Sequence, residues 1–332
     1  MKLGRICVAG PDGPVPRLVM VKPVERRVID LKSASALQLA AGGATRTAAL
    51  RLSEALFPGS MSAAIALGDR FLSSCQDVTA SRADDASLPI EKVQWLPASD
   101  PSIVRDGLTF LKHIRQFHQK MNVAPKPALL EIPGYFKGSP HTCIGHEAEV
   151  VWPEYLQRMD YELELGWVIG KVAHNVRPEN ARQYLFGVTI FNDFSGRDLQ
   201  ANEFAIGMGP TKCKDFAYGI GPWITTLDEF TDLRTIKMRV RVNGETWGEG
   251  DSSETLWSVD ELIAWVSLDE YVQPGDVIGS GTMGDGSSLE VDKFLKPGDV
   301  IELEVDGVGV LRNRLAQKSG DRWWPTKRAP FM

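Results

Sequence analysis

The chain has 332 residues, 43% hydrophobic and 24% charged, with a formal net charge of -6. That length can bury a large core with room for a second small unit, and the composition excludes disordered and fibrous classes. The acidic balance argues against a nucleic-acid or anionic-membrane partner, which needs a basic face, and no apolar run nears the ~20 residues that cross a bilayer.

The opening MKLGRICVAGPDG lacks the apolar centre of a secretory leader and reads as folded protein. Leu3, Arg5, Cys7 and Ala9 alternate with their neighbours as in a strand, and PRLVMVK and RRVIDLK predict two more. ATRTAALRLSEALF and SAAIALGDRFLSS carry helical spacing, broken at Pro58-Gly59, and Ser81 to Ser87 predicts a surface loop. Together these predict a small N-terminal α+β domain over residues 1–100. Cys7, Cys75, Cys143 and Cys213 are isolated, the pattern of a reduced, cytoplasmic protein.

Ile103 to Met121 predicts a helix, its first turns weakened at Gly107 by ~1 kcal/mol relative to alanine. From Leu129 onward most segments predict strands: DYELELGWVIG, YLFGVTIFNDF, IGPWITT, TIKMRVRVNGETW, DVIGSGT and DVIELEV, with a short helix in SVDELIAWVS. Pro274-Gly275-Asp276 and Pro297-Gly298-Asp299 each predict a turn into a strand. The fold class predicted is β-rich α+β, dominated by a curled sheet in residues 101–332. Parallel and antiparallel pairing stay open at this level.

In DYELELG, alternation puts Asp160, Glu162 and Glu164 on one strand face, neighbours ~7 Å apart. Such a row costs energy unless water or a cation screens it, and an oxygen cluster suits Mg²⁺, Ca²⁺ or Mn²⁺. The plainer alternative is a solvated acidic face. In FNDFSGRDLQ, Asp193 ends an apolar run and leads into Ser195, Arg197, Asp198 and Gln200, a cluster that lines a site or merely caps the helix RDLQANEF. Arg197 and Asp198 read as an internal ion pair. His118, His141, His146 and His174 read as surface residues, and Trp323 and Trp324 as packed on the body or on a partner subunit.

DYELELG, then NDFSGRDLQ, then GPTKCKDFAYGIGPW resembles the fumarylacetoacetate hydrolase family, over about Val104 to Asn313. The resemblance implies a curled mixed-sheet β-roll over residues 101–332 and a divalent-metal-dependent enzyme that hydrolyses a carbon–carbon bond in a small anionic 2,4-dioxo acid. By the same resemblance, Asp106, Glu162, Glu164 and Asp193 hold one divalent cation per chain, Mg²⁺ before Mn²⁺ or Ca²⁺. His113, seven positions after Asp106, is the general base, and Glu290 orients it. Lys214, preferred to Lys212 by alignment alone, stabilises the oxyanion with Gln200. Tyr135, Thr282 and Arg197 contact substrate. The resemblance also implies a homodimer and a role in aromatic or sugar-acid catabolism. One departure weakens the case for fumarylacetoacetate itself: an arginine expected nine residues after the histidine is Asn122 here. The alternatives are a decarboxylase, isomerase or hydratase of a related oxo acid on the same fold, and a non-catalytic β protein holding structural Ca²⁺.

Overall fold

Strand β1 (Lys2–Gly10) pairs antiparallel with β2 (Gly13–Lys22), and β2 with β3 (Arg27–Asp30). The strand expected in RRVIDLK stops at Asp30, whose carboxylate accepts from Ser33 N and caps α1 (Leu31–Ala41). Helices α2 (Arg46–Leu56), α3 (Met61–Ile65) and α4 (Asp69–Arg82) follow, with the expected break at Pro58-Gly59. Part of the loop expected from Ser81 to Ser87 is ordered into the end of α4 and a 3₁₀ turn at Asp84–Ala86. β4 (Ser87–Pro89) then joins β3, and β5 (Gln94–Trp95) joins β1. This computed structural model describes all residues except 12, 83, 319, 321, 322, 331 and 332, so Ala83 of that loop lies outside the described residues.

The continuous helix expected from Ile103 to Met121 is instead strand β6 (Val104–Gly107) followed by α5 (Leu111–Lys120). Tertiary pairing overrides helical spacing here. β6 runs antiparallel to β7 (Tyr135–Gly138) and parallel to β17 (Val277–Gly279), and buries Arg105 against Asp276 at 3.0 Å. Between β7 and β17 lie β8 (Cys143–Ile144), β9 (Glu149–Trp152), β10 (Met159–Asp160), β11 (Leu163–Ile169), α6 (Pro178–Ala181), β12 (Leu185–Asp193) and β13 (Ser195–Gly196). Then come α7 (Arg197–Ile206), β14 (Tyr218–Thr226), β15 (Lys237–Val242), β16 (Glu245–Asp251) and α8 (Val259–Val266), the last opened by a Ser258/Glu261 capping box. β18 (Val300–Val305) and β19 (Gly309–Lys318) close the sequence of strands.

One large mixed sheet runs β4-β3-β2-β1-β14-β12-β11-β17-β6-β7, and a second runs β16-β15-β18-β19-β9. The first crosses from the N-terminal strands into the rest of the chain at Lys2↔Thr225 and Leu3↔Ile224. One buried cluster sits around Leu163, Leu165, Val240 and Leu303 and involves both sheets. A second packs Phe57 and Phe71 beneath the N-terminal helices against Val168, Phe191 and Val277. Each fully buried ring or branched side chain contributes about 1.5–3 kcal/mol of transfer free energy. The architecture is β-rich α+β, and no helix among the described residues is long and apolar enough to cross a membrane. Both proline-glycine-aspartate turns precede strands as expected, with Gly275 at φ +83 and Gly298 at φ +93, a region that side chains with a Cβ rarely occupy.

Candidate active site

β11 and β12 pair with Leu163 opposite Asn192 and Glu164 opposite Phe191, which sets Glu162 and Glu164 beside Asp193 at the end of β12. Asp106 arrives from β6, two strands away across β17. Oxygens of Asp106, Glu162, Glu164 and Asp193 all lie within 4.8 Å of one another, and all four residues are buried. The solvated acidic face is therefore excluded: Glu164 and Asp193 are both 0% exposed.

The protein satisfies this cluster only in part. Glu162 accepts from Lys214 Nζ at 2.6 Å and Arg197 Nη2 at 2.7 Å, and Glu164 accepts from Gly281 N at 2.8 Å and Thr282 Oγ1 at 3.3 Å. Asp193 accepts from Lys214 through Oδ2, while Asp193 Oδ1 and Asp106 Oδ1 are buried without a partner. A buried oxygen left in that state costs about 1–3 kcal/mol, more when charged. Gly279 explains how the carboxylates come so close: a Cβ there would stand 2.5 Å from Asp106 Oδ1 and 2.6 Å from Glu164 Oε2. Orphaned oxygens, a strand glycine that makes room for them and an all-oxygen donor set fit a hard divalent cation.

Electrostatics point the same way. Burial pushes the carboxyl groups of Asp106, Glu164 and Asp193 well above their ordinary range, and neighbouring carboxylates add to it. Burial acts on Glu162 too, but Lys214 and Arg197 overcome it and hold this group below its ordinary value. Burial would depress Lys214, yet Asp193 and Glu162 keep it well above a free lysine. Lys214 also donates to Ser195 Oγ at 2.7 Å. Lys212 is exposed and lies over the Tyr155 ring at 5.4 Å, away from the carboxylates.

His113, on the first turn of α5, is 5% exposed, and its Nδ1 lies 3.0 Å from Glu290 Oε1. The other Glu290 oxygen accepts from Ser287 N and Ser287 Oγ, both at 2.9 Å. A carboxylate so held favours the tautomer in which Nδ1–H donates to it, the tautomer whose Nε2 lone pair can accept a proton. The backbones of Ser287 and Glu162 pair in an isolated antiparallel bridge, which sets this pair next to the strand that carries the acidic cluster. On α7, Gln200 Oε1 accepts from Arg197 Nη1 at 3.1 Å.

Two expectations change. Arg197 does not pair with Asp198; it binds Asp160 at 2.7 Å together with Glu162, while Asp198 caps Gln157 N and Arg158 N. Tyr135 sits opposite Gly107 and turns its hydroxyl to Glu270 at 3.2 Å, on the sheet face away from Asp106. Its neighbour Phe136, opposite Asp106, takes the inner face, with Lys214 Nζ 5.9 Å from its ring centre. Among the histidines expected at the surface, His146 is partly buried and accepts from Arg312 N at 3.1 Å. Trp324 stacks on Tyr155 at 5.6 Å, whereas Trp323 is 85% exposed. Sequence reasoning gave no reading to Ser287 or Phe136, and named Asp160 and Ser195 only as members of the acidic row and the polar cluster. Ser287 and Phe136 carried no local signal.

A family model described as fumarylacetoacetate (FAA) hydrolase C-terminal matches residues 102–316. The chain is 31% identical over 272 residues to the oxaloacetate tautomerase YisK of Bacillus subtilis, covering 78% of this chain and 87% of that one. It is 30% identical over 242 residues to the human mitochondrial oxaloacetate tautomerase FAHD2A, covering 71% and 74%. A crystal structure of maleylpyruvate hydrolase from Sphingobium sp. SYK-6, in complex with manganese(II) ion and pyruvate, superposes with a TM-score of 0.70 at 21% identity, covering 96% of this chain and 100% of that one. At that identity the likeness is one of fold.

Proposed function

The chain belongs to the fumarylacetoacetate hydrolase family, and from that premise we propose that it is a divalent-metal-dependent hydrolase that cleaves a carbon–carbon bond in a small 2,4-dioxo acid. The observation that carries this reading is the buried His113–Glu290 pair, 3.0 Å apart, with Ser287, which donates to Glu290, in a backbone bridge with Glu162. A base aimed at water is what hydrolysis needs beyond enolate chemistry.

Asp106, Glu162, Glu164 and Asp193 would hold one divalent cation, Mg²⁺ by preference. Bound there, such an ion supplies Lewis acidity to substrate oxygens. The rest falls to side chains. His113 Nε2 takes a proton from water as the water oxygen bonds to the C4 carbonyl carbon. Lys214 turns one hydrogen from Ser195 to the resulting oxyanion, and the Gln200 amide donates a second bond, typically a large electrostatic contribution. Collapse breaks C3–C4, the electron pair stays on C3, and the His113 imidazolium returns the proton. A carboxylic acid and a 2-oxo acid leave. Thr282 borders the site through its bond to Glu164, and Arg197 braces Glu162 and Gln200. The same reading takes the protein as a cytoplasmic homodimer, with residues 1–100 as a smaller unit that backs the catalytic sheet.

A second reading, oxaloacetate tautomerisation, draws on the names of the two curated relatives. It needs His113 as a proton shuttle without water. Assaying a panel of acylpyruvates and oxaloacetate with Mg²⁺ or Mn²⁺ decides between them. Release of two acids from an acylpyruvate is expected; keto–enol exchange of oxaloacetate with every acylpyruvate left intact would overturn hydrolysis.

A further inference from the structure

The base and the amide donor sit on different helices, yet each has a phenylalanine one turn further along the same face: Phe117 four residues after His113 on α5, and Phe204 four residues after Gln200 on α7. The two rings meet edge to face, 6.4 Å between centres at 73°. Phe117 also lies 6.0 Å from the His113 ring. From the sheet, Phe136 faces the cluster beside Asp106, 5.9 Å from Lys214 Nζ. Phe204 is 44% exposed, and Phe117 is half-buried. Aromatic rings thus border the reacting groups on three elements, and two of them are still open to water.

Four cations near this collar are already engaged. Lys214 is held by Glu162 and Asp193, and Arg197 by Asp160 and Glu162. Lys112 and Lys120 of α5 pair with Asp285 and Asp292. A second carboxylate at the far end of a substrate would shed part of its hydration among rings, beside lysines and an arginine that already hold carboxylates, which is unfavourable. An aryl or branched alkyl group would bury apolar area and meet the ring edges.

We propose that the enzyme selects 2,4-dioxo acids whose distal substituent is apolar and rejects those that end in a second carboxylate. This rests on the hydrolase reading of the same site. Such substrates come from a reaction that opens an apolar-substituted ring or condenses an apolar acyl group with a 2-oxo acid.

The test compares kcat/KM for 4-phenyl-2,4-dioxobutanoate, hydrolysed to benzoate and pyruvate, with that for 2,4-dioxoheptanedioate. The wild type should favour the phenyl compound by about tenfold or more. Phe204→Arg should shrink that ratio by about fivefold or more, and Phe204→Leu should keep it. In parallel, phenylpyruvate and 2-oxoglutarate are titrated by calorimetry into Mn²⁺-loaded protein. If neither dioxo acid is hydrolysed, the hydrolase reading falls and the titration alone judges the collar. Phenylpyruvate binding about tenfold tighter then supports the selectivity, and equal or weaker binding overturns it. Hydrolysis with a ratio at or below one, or a ratio that Phe204→Arg leaves unchanged, also overturns the selectivity while the hydrolase reading stands.

Discussion

Asp160 and Arg197 form a buried pair at 2.7 Å, and the same carboxylate accepts from Ser288 N at 2.8 Å and Leu289 N at 3.2 Å. Asp160 therefore ties the strand before the acidic pair to α7 and to the loop that carries Glu290. Asp160→Asn keeps the shape but removes the charge from all three. We expect kcat to fall about 10–100-fold, as for other groups that orient a reactive neighbour, with KM for an acylpyruvate changed much less. Steady-state kinetics on folded protein check this, and a change confined to KM would remove Asp160 from that role.

Asp106 carries one of the orphaned buried oxygens. Asp106→Asn should weaken Mn²⁺ binding about tenfold or more, because a formal charge leaves an all-oxygen site. In chelator-treated protein the same substitution should raise Tm by a few degrees, since it relieves repulsion against Glu164 and Asp193. Calorimetric titration and a thermal melt give the two signs, and equal Mn²⁺ affinity in both proteins would sink the assignment.

Lys214→Met should lower kcat about a hundredfold or more by removing a preorganised charge. It should also cost about 3–5 kcal/mol of stability, because Glu162 and Asp193 lose their buried partner. Lys212→Met, at an exposed side chain over Tyr155, should change kcat less than about twofold. Rates corrected for the folded fraction separate the two lysines.

His113→Ala should abolish acylpyruvate hydrolysis while Mn²⁺ still binds, since the ring bonds Glu290 and is not among the four clustered carboxylates. Any slow oxaloacetate decarboxylation should survive. Both rates are measured on one Mn²⁺-saturated preparation; unchanged hydrolysis would remove His113 from the mechanism.

Tyr135→Phe should leave kcat/KM within about twofold and cost roughly 1 kcal/mol, the worth of one hydrogen bond to Glu270. A much larger loss in kcat/KM would mean that the hydroxyl reaches substrate during turnover.

Some of this was legible in the residues. Alternation alone put Glu162 and Glu164 on one face, because a strand has a period of two wherever it lies. The turns before β17 and β18 were legible because glycine there has a backbone reason. The Asp106–His113 spacing is present, but not as two turns of one helix: Asp106 is on a strand held by β7 and β17, and no local signal outweighs partners as far along the chain as Phe136 and Gly279. The face Tyr135 takes is fixed by its register with Gly107, so Tyr135 and Phe136 could not be told apart. Likewise, the choice of Asp160 over Asp198 as partner to Arg197 depends on where β10 ends, which adjacency along the chain does not reveal.

The seam where Lys2 and Leu3 meet Thr225 and Ile224 has a consequence for the order in which the protein can be made. At about 5–20 residues per second, the partner strand β14 leaves the ribosome roughly ten to forty seconds after β1. During that interval β1 can zip onto β2, but the edge meant for β14 stays unsatisfied, and exposed edges recruit wrong partners. The N-terminal hairpin is thus a template that must be protected until β14 arrives. A nascent chain stalled before residue 218 should be bound by chaperones or aggregate, and one stalled far enough beyond 226 for β14 to clear the exit tunnel should not.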